Sequence, residues 1–578
     1  MKFRWSIAPA QPLLASQMAL AHHISPLLAQ CLLNRGLSGE ETVDNFLSPK
    51  LKHLADPFLL PNMAAAVERL LTAREASDAV VVFGDYDVDG VTSTALLVEV
   101  LRALGWMVEA YLPHRLEEGY GLSRDGAENC LAKYPAKLLL AVDCGSTATE
   151  TIAWLRTRNV DVIVLDHHQV SSPAPAAVAL VNPQLAGETE VSFRDLCSVG
   201  LAFKLAHALL KRGRDLGLPG MADFDLRPLL DLVALGTIAD VVSLTGENRI
   251  LVTAGLERLS TTTRAGLVAL KRVAQSPDKL NTMDVGYQLA PRLNASGRLE
   301  NALESLQLVL ARTLAEADPL ARNLDYHNQE RQKIERSITT RVIGAVKARF
   351  NPDTDYVIVE GQLLWHIGVV GIVASRVLQQ FYRPTFILGG EGNYWRGSGR
   401  SIAGFDLAAA LRECDDLLVR HGGHAMAAGV TIQPQNVETF RKRLNDIARR
   451  TLKPADLRPQ LVLDAEVALR DLTLDLLADL DRIRPTGQGN PPLQFWSRQL
   501  VNSRPGQRMG AEKQHVKLWV TDGRVSLEAV WWGGGDKAQP EGKFDLAFAP
   551  QVNEFGGRRT VQLKVLDWRP STGPDGLQ

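Results

Sequence analysis

The sequence predicts an α/β protein built on a doubly wound parallel sheet, and three observations carry that reading. Apolar runs rich in Val, Leu and Ile stop at carboxylates: AVVVFG at Asp85, KLLLAV at Asp143 and VDVIVL at Asp166. Short runs of this kind, with no polar alternation, are the texture of parallel strands buried on both faces. Between them lie stretches with apolar residues at helical spacing, so strand and helix alternate.

Residues 1 to about 75 read as helical and loop-rich, broken at Pro9, Pro12, Pro49, Pro57 and Pro61. From 79 the texture becomes strand–turn–helix. VTSTALLVEVLRALGW follows the turn Asp85–Gly90, and Gly105 ends it. Strands are expected near 108–112, 138–142 and 161–165, with helices near 123–133 and 147–158. An apolar helix covers Leu229 to Val242, and Ala290–Glu300, small, polar and glycine-bearing, reads as a functional loop. From Pro319 to Phe350 the chain is charged and helical, with Pro319 suited to a first turn. A second strand–helix–strand unit spans Tyr356 to Leu388, with glycine turns at Gly397–Arg400 and Gly422–His424. After about 455 short alternating runs (HVKLWVTDG, SLEAVWWGG, FDLAFAP, RTVQLKVLDW) read as a small β-barrel. The expected organisation is an N-terminal extension (1–75), a catalytic α/β domain (76–315), a connecting helix (316–350), a smaller α/β domain (351–455) and the barrel (456–578).

The 578 residues give room for two to four domains, and 46% apolar with 22% charged residues is the balance of ordinary globular proteins. No apolar run approaches the ~20 residues of a membrane helix, and MKFRWSIAPAQP lacks the apolar core of a secretory signal. The five cysteines form no CxxC pair and are odd in number, which argues against a disulfide framework or zinc knuckle and fits a reducing cytoplasm. A net charge of −1 decides nothing about nucleic acid, because local patches do that.

In open parallel sheets ligands sit beyond the carboxyl ends of the strands. Asp87 and Asp89, two apart in a turn after a strand, bend toward a common point. Asp143 ends another strand in a position to bridge two metals, His167 follows a third, and Asp240 closes the apolar helix. So many like charges converging at one edge need cations. Carboxylates with one imidazole and no thiolate suit Mn²⁺ or Mg²⁺ better than structural zinc. Each residue alone has a plainer reading, Asp85 as a turn or N-cap residue and the His pair as solvated. Cys144 reads as packing, not as a nucleophile, because no activating base accompanies it. Two ions ~3.5–4 Å apart imply in-line hydrolysis of a phosphate ester or anhydride. His168 is left to donate to a phosphate oxygen or to carry a proton.

The set GDYDVDG, VDCG, DHH and IADVV resembles the DHH phosphoesterase superfamily, and HGGHAMAAG (421–429) resembles the glycine-rich motif of its associated second domain, DHHA1. LAPRLNASGR, HIGVVGIVASR, RGSGRSIAGFDL and the N-terminal FRW resemble the RecJ branch. The resemblance covers essentially the whole chain. It implies a DHH catalytic domain, a DHHA1 domain, an OB-like C-terminal barrel, and 5′→3′ digestion of single-stranded DNA to 5′-mononucleotides in repair and recombination. It implies that Asp87, Asp89, Asp143, His167 and Asp240 hold two Mn²⁺ or Mg²⁺ ions, that His168 is catalytic or touches phosphate, and that Asp85 is an auxiliary carboxylate. Manganese pyrophosphatases, similar in the first motif, carry a ligating His four residues before their Asp-x-Asp, where this chain has Phe83.

Arg115, Arg298, Arg376, Ser398 and Arg400 are candidate phosphate holders on the chemistry of guanidinium and glycine-flanked loops. By resemblance Arg115, Ser398 and Arg400 belong to the 5′-end pocket and His424 to the groove of the second lobe. The plainer alternative is that the glycine turns only reverse the chain and Arg376 pairs with an acid. Trp496, Trp519, Trp531, Trp532 and Trp568, interleaved with Arg and Lys, suit base stacking, with most of them expected in the barrel core. A single-strand-binding protein and a RecQ-type helicase are partners by resemblance, and a monomer is the default. Two other readings remain: a DHH phosphodiesterase or pyrophosphatase acting on short oligonucleotides or small phosphates, and a strand-binding module with a relic site.

Overall fold

The computed structural model describes residues 3–114, 117–119, 121–187, 191–299, 301–390 and 393–571. The chain forms two compact units: Ser48–Gln332 with Arg484–Pro491, and Met1–Leu47 with Lys333–Ile483 and Pro492–Gln578.

In the first unit the strands β1 (Val80–Gly84), β2 (Val108–Tyr111), β3 (Leu138–Val142), β4 (Asp161–Leu165) and β5 (Ala179–Val181) form one sheet. It is parallel throughout, in the order β2-β1-β3-β4-β5. Alternate side chains feed two cores. Val80, Val82, Leu138, Leu140, Val142, Ile163 and Leu165 face one, and Val81, Phe83, Leu139, Ala141, Val162 and Val164 face the other. Burial on both faces is why these strands read as unbroken apolar runs. The larger core is completed by α1 (Val88–Ala103) and by two later helices, Ser198–Asp215 and Leu230–Ala239. These helices press closely together: a Cβ on Gly236 would lie 2.3 Å from Thr92 Oγ1 and 2.7 Å from Val199 Cγ1. The smaller core is closed by α2 (Arg124–Lys133) and α3 (Thr149–Thr157). With α4 (Ser198–Asp215) and α5 (Leu230–Ala239) the doubly wound layering is complete.

Two expectations change here. Residues 290–299 form not a loop but a helix, Ala290–Leu299, continuing from a π-helical turn at Val285–Leu289. Pro291 lacks an N–H, and it sits at the second position of the α-helix, directly after the wide turn. The connecting helix, α6 (Leu314–Arg349), starts before Pro319 and holds that proline inside. Thr313 Oγ1 accepts from the Glu316 N–H, and the Glu316 carboxylate accepts from the Arg312 N–H. These two side-chain bonds fix the start, at the cost of one bond at the proline.

The expected extension 1–75 divides between the units. Ser48 onward belongs to the first unit, where Lys204 and Glu247, both fully buried and 2.8 Å apart, also hold the carbonyl and N–H of Ala55. Residues before 48 belong to the other unit. There the strand Arg4–Ile7 runs parallel to Gln460–Leu463, and Trp5 Nε1 donates to Asp567 at 3.0 Å. The helices Pro12–His22, Pro26–Leu33 and Glu40–Leu47 share a core with the C-terminal strands.

In that second unit the strands β6 (Ile358–Gly361), β7 (Thr385–Gly389), β8 (Trp395–Arg400), β9 (Leu418–Gly423) and β10 (Ala427–Ile432) form a mixed sheet in the order β9-β10-β8-β7-β6. Only β6 and β7 are parallel, and α7 (Val370–Phe381) is the crossover between them. The C-terminal strands are β11 (Phe495–Met509), β12 (His515–Thr521), β13 (Ser526–Trp531), β14 (Phe544–Phe555) and β15 (Arg558–Pro570). The long β11 pairs with β14 through its first half and with β12 through its second, so the sheet curls back on itself.

Candidate metal centre and phosphate-binding residues

The order β2-β1-β3-β4-β5 reverses direction between β1 and β3, the place where α/β sheets open a crevice. Asp85 follows β1 and Asp143 follows β3, so both stand at that switch point. Asp87 is the N-cap of α1, its Oδ1 accepting from the N–H groups of Asp89 (2.9 Å) and Gly90 (3.1 Å). Gly90 is required by closeness: a Cβ there would lie 2.4 Å from the Asp85 carbonyl oxygen. Asp89 sits in the first turn of α1 and accepts from Ser198 N–H (2.7 Å) and Val199 N–H (2.8 Å), one on each oxygen. The positive N-terminus of α4 thereby holds it in place. Asp143 adopts a left-handed backbone, φ 61°, and accepts from Ser198 Oγ at 3.0 Å. Asp240 is the C-cap of α5.

His167 Nε2 lies 3.5 Å from Asp143 Oδ1 and 3.4 Å from Asp240 Oδ2. His167 Nε2 and Asp240 Oδ2 are buried and have no hydrogen-bond partner among the described residues. Two groups of possible ligand atoms follow from this packing: Asp85, Asp87 and Asp143, and Asp143 with His167 and His168. A third, which sequence reasoning missed, joins Asp89 and Asp240 with the buried thiol of Cys197. Asp143 belongs to two of the three groups, the placement expected of a bridging carboxylate.

The electrostatics show what the cluster lacks. Burial, reinforced by Asp87, pushes Asp89 up to about 7 against the pull of its backbone N–H donors. Burial and the charges of Asp87 and Asp89 push Asp143 well up. Asp240 rises to about 9 by burial and the same neighbours. Burial, with His168 beside it, holds His167 down to about 4, so its imidazole is neutral, the form that binds metal. Carboxylates that resist ionisation, a neutral imidazole and two buried atoms with empty lone pairs fit divalent cations with hard ligands.

His168 differs from its neighbour. Its Nδ1 lies 2.7 Å from Asp166 Oδ1, and that hydrogen bond raises it to about 9 despite burial. Burial alone would raise Asp166, but hydrogen bonds from His168 and Ser146 hold it well below the usual carboxylate range. Asn182 completes the frame, its Nδ2 donating to Ser146 Oγ (2.9 Å) and to the His168 carbonyl (2.8 Å). Sequence reading found none of Ser146, Asn182 and Ser198. Phe83, at the position of the pyrophosphatase-type histidine, points away from the metal edge into the smaller core and stacks on Tyr111 at 5.5 Å.

The candidate phosphate residues fare unequally. Arg115 lies outside the described residues. Arg298 is half-buried on the helix Ala290–Leu299. Arg376 donates through Nε to Glu335 at 3.0 Å, so it does pair with an acid. Ser398 and Arg400 share β8, where Arg400 Nη1 donates to Ser398 Oγ and the Gly399 carbonyl, both at 2.8 Å. The first turn of α7 lies against them, since a Cβ on Gly371 would be 3.1 Å from Ser398 Oγ and 3.2 Å from Arg400 Nη2. His424 is exposed in the turn from β9 to β10. Among the five C-terminal tryptophans, Trp496 and Trp531 are buried, Trp568 packs edge-on against Phe544, and Trp519 lies under the Arg504 guanidinium at 3.5 Å. Trp532 is 50% exposed.

Three family models match the chain: the DHH family N-terminal domain over residues 79–237, the DHHA1 domain over 353–450 and the RecJ OB domain over 463–567. The single-stranded-DNA-specific exonuclease RecJ of Bacillus subtilis (strain 168) is 36% identical over 572 residues, 98% of this chain and 71% of that one. The chain belongs to the RecJ family. The structure of Thermus thermophilus RecJ in complex with Mn²⁺ matches with a TM-score of 0.84 and 29% identity, over 99% of this chain and 80% of that one. Its Mg²⁺ complex matches with a TM-score of 0.79 and 28% identity, over 99% and 79%. The fold class read from the sequence, with its DHH, DHHA1 and OB parts, holds. So does the expectation of Mn²⁺ or Mg²⁺. No described helix is long and apolar enough to cross a membrane.

Proposed function

We propose that this chain hydrolyses single-stranded DNA from the 5′ end, releasing 5′-mononucleotides, with two Mn²⁺ or Mg²⁺ ions held by Asp87, Asp89, Asp143, His167 and Asp240. One observation carries the reading: in a RecJ-family chain, five candidate ligands meet at the switch point, and two of their buried atoms have no protein partner among the described residues. When bound, the ions supply Lewis-acid charge at the scissile phosphate and favour a water nucleophile at neutral pH. The protein does the rest. Backbone N–H groups of α4 and the Ser198 hydroxyl fix the carboxylates of Asp89 and Asp143 before any substrate arrives. Asp166 occupies Nδ1 of His168, so Nε2 is the nitrogen free to donate. That N–H stabilises a phosphate oxygen or protonates the departing 3′-oxygen. Asp85, nearly fully buried behind the turn, is an auxiliary carboxylate.

Ser398 and Arg400, with the start of α7, hold a terminal phosphate, and Arg115 is a phosphate holder of the catalytic chain segment in its own right. Arg298, Arg376 and His424 carry smaller shares of backbone binding, Arg376 the smallest because Glu335 already takes its charge. Trp532 is the base-stacking surface of the C-terminal strands. We further infer action as a cytoplasmic monomer in repair and recombination, beside a single-strand-binding protein and a RecQ-type helicase. The test is mononucleotide release from 5′-labelled and 3′-labelled single strands with Mn²⁺. Early label release from the 5′-labelled strand alone is expected, and the opposite order overturns the polarity. Asp143→Ala retains strand binding and loses hydrolysis by at least ~10³-fold.

A further inference from the structure

The edge strand β5 supplies none of the candidate metal ligands, yet Asn182, the residue that follows it, is fully buried and bonded to His168. Its amide can be oriented in only one way. Oδ1 accepts the Gln184 N–H at 2.8 Å, so the NH₂ group faces the acceptors. These are Ser146 Oγ at 2.9 Å and the His168 carbonyl at 2.8 Å. Capping the short turn Pro183–Ala186 explains the Oδ1 bond alone. Both N–H bonds are surplus to that cap, and both lead to His168.

One leads there directly and the other through two residues. The Ser146 hydroxyl, having accepted from Asn182, keeps its hydrogen for Asp166, and the Ser146 N–H donates to Asp166 Oδ2 at 3.0 Å. Asp166 Oδ1 accepts from the His168 N–H at 3.2 Å and lies 2.7 Å from His168 Nδ1. The bonds therefore close a ring from Asn182 through Ser146, Asp166 and His168 back to Asn182. Three adjacent strand ends build it: Ser146 follows β3, Asp166 and His168 follow β4, and Asn182 follows β5. Ser146, Asp166 and Asn182 are at most 1% exposed, whereas the His168 side chain is 38% exposed. A histidine gripped at its carbonyl, its N–H and its Nδ1 has both its position and its ring plane set, so Nε2 points one way.

We propose that Asn182 is a positioning residue of the reaction, holding the His168 imidazole at the angle from which Nε2 meets the substrate. Asn182 acts only through His168, and this role rests on the part given to His168 above. Two variants open the ring. Asn182→Ser keeps an oxygen that can cap the turn and removes both amide donors. Ser146→Ala cuts the ring at its second member and keeps the backbone N–H. Mononucleotide release from single strands at saturating Mn²⁺ is measured for each, alone and combined with His168→Ala. Asn182→Ser is expected to lower kcat by ~10–100-fold and Ser146→Ala by about fivefold, with KM and Mn²⁺ affinity within about twofold of the parent. In the His168→Ala background each should cost less than about twofold, because nothing is left to position. A full cost in that background, or an unchanged kcat in both single variants, overturns the proposal. A second readout needs no turnover. In metal-free protein with ¹⁵N-labelled histidine, the hydrogen-bonded Nδ1–H proton of His168 is assigned by its loss in His168→Ala. It is expected in the parent and lost to exchange in Asn182→Ser. Its persistence in Asn182→Ser overturns the positioning role, whereas a parent that shows the proton and cuts no strand overturns only the reading of the reaction.

Discussion

The carboxylate-lined sheet edge of the first unit and the exposed face of the C-terminal sheet proposed to bind the strand handle charge in opposite ways. At the metal edge the carboxylates are buried and fixed by N–H and O–H donors from α1 and α4, with one buried oxygen and one buried nitrogen left open. On the C-terminal strands one tryptophan, Trp532, and cations such as Arg558 and Arg559 stand exposed. The first arrangement selects a geometry; the second accepts any base sequence that passes over it. Buried charge is costly unless every partner is in place, whereas exposed charge is cheap to add or lose.

That contrast ranks the expected effects of disturbing each side. Lys204→Met leaves Glu247 buried without its ammonium and destabilises the catalytic unit by ~3–5 kcal/mol, read as a lowered denaturation midpoint. A change below ~1 kcal/mol would show that buried charge is not held as tightly as argued. Metal affinity comes next. Asp89, near 7, and Asp240, near 9, must give up protons to bind an ion, whereas His167, near 4, is already neutral. Apparent Mn²⁺ affinity therefore tightens as pH rises from 6 to 9, by roughly 10–100-fold for one to two protons displaced. Calorimetry in two buffers checks the proton release, and a pH-independent affinity would contradict it.

Asp166→Asn tests orientation alone. His168 owes its raised value of about 9 first to the Asp166 hydrogen bond. Losing it drops the imidazole toward the ordinary ~6.5, so activity carried by protonated His168 disappears at lower pH than in the parent. The alkaline limb of kcat moves down and kcat at pH 8 falls by ~10–100-fold, with Mn²⁺ binding kept. An unmoved limb would assign the pH profile to another group. The smallest effect belongs to the exposed face: Trp532→Ala removes one stacking surface, ~1 kcal/mol or about fivefold in KM for long strands, with kcat unchanged. A larger loss in kcat would mean that this tryptophan does more than hold the strand.

The same contrast governs what the sequence revealed. Val80–Gly84, Leu138–Val142 and Asp161–Leu165 were legible because burial on both faces leaves an unbroken apolar run, and the carboxylates at their ends were conspicuous against it. The frame around those carboxylates was not. Ser198 meets Asp143 across 55 residues and Asn182 meets Ser146 across 36, and nothing local shows that a serine or asparagine will bond to so distant a partner. Ala290–Leu299 looked like a loop because proline and glycine signal breaks, and a π-helical turn removed the conflict. Periodicity placed the tryptophans in a barrel but could not tell Trp531, buried, from Trp532, exposed, because that depends on where β13 ends.

The strand Arg4–Ile7 lies beside Gln460–Leu463. During synthesis this strand has no neighbour until about 450 further residues have left the ribosome, ~20–90 s at ~5–20 residues per second. The catalytic unit, Ser48–Gln332 apart from a short late segment, is complete in sequence well before that. The segment Arg4–Ile7 is thus a latch whose keeper, Gln460–Leu463, does not exist when the latch is made.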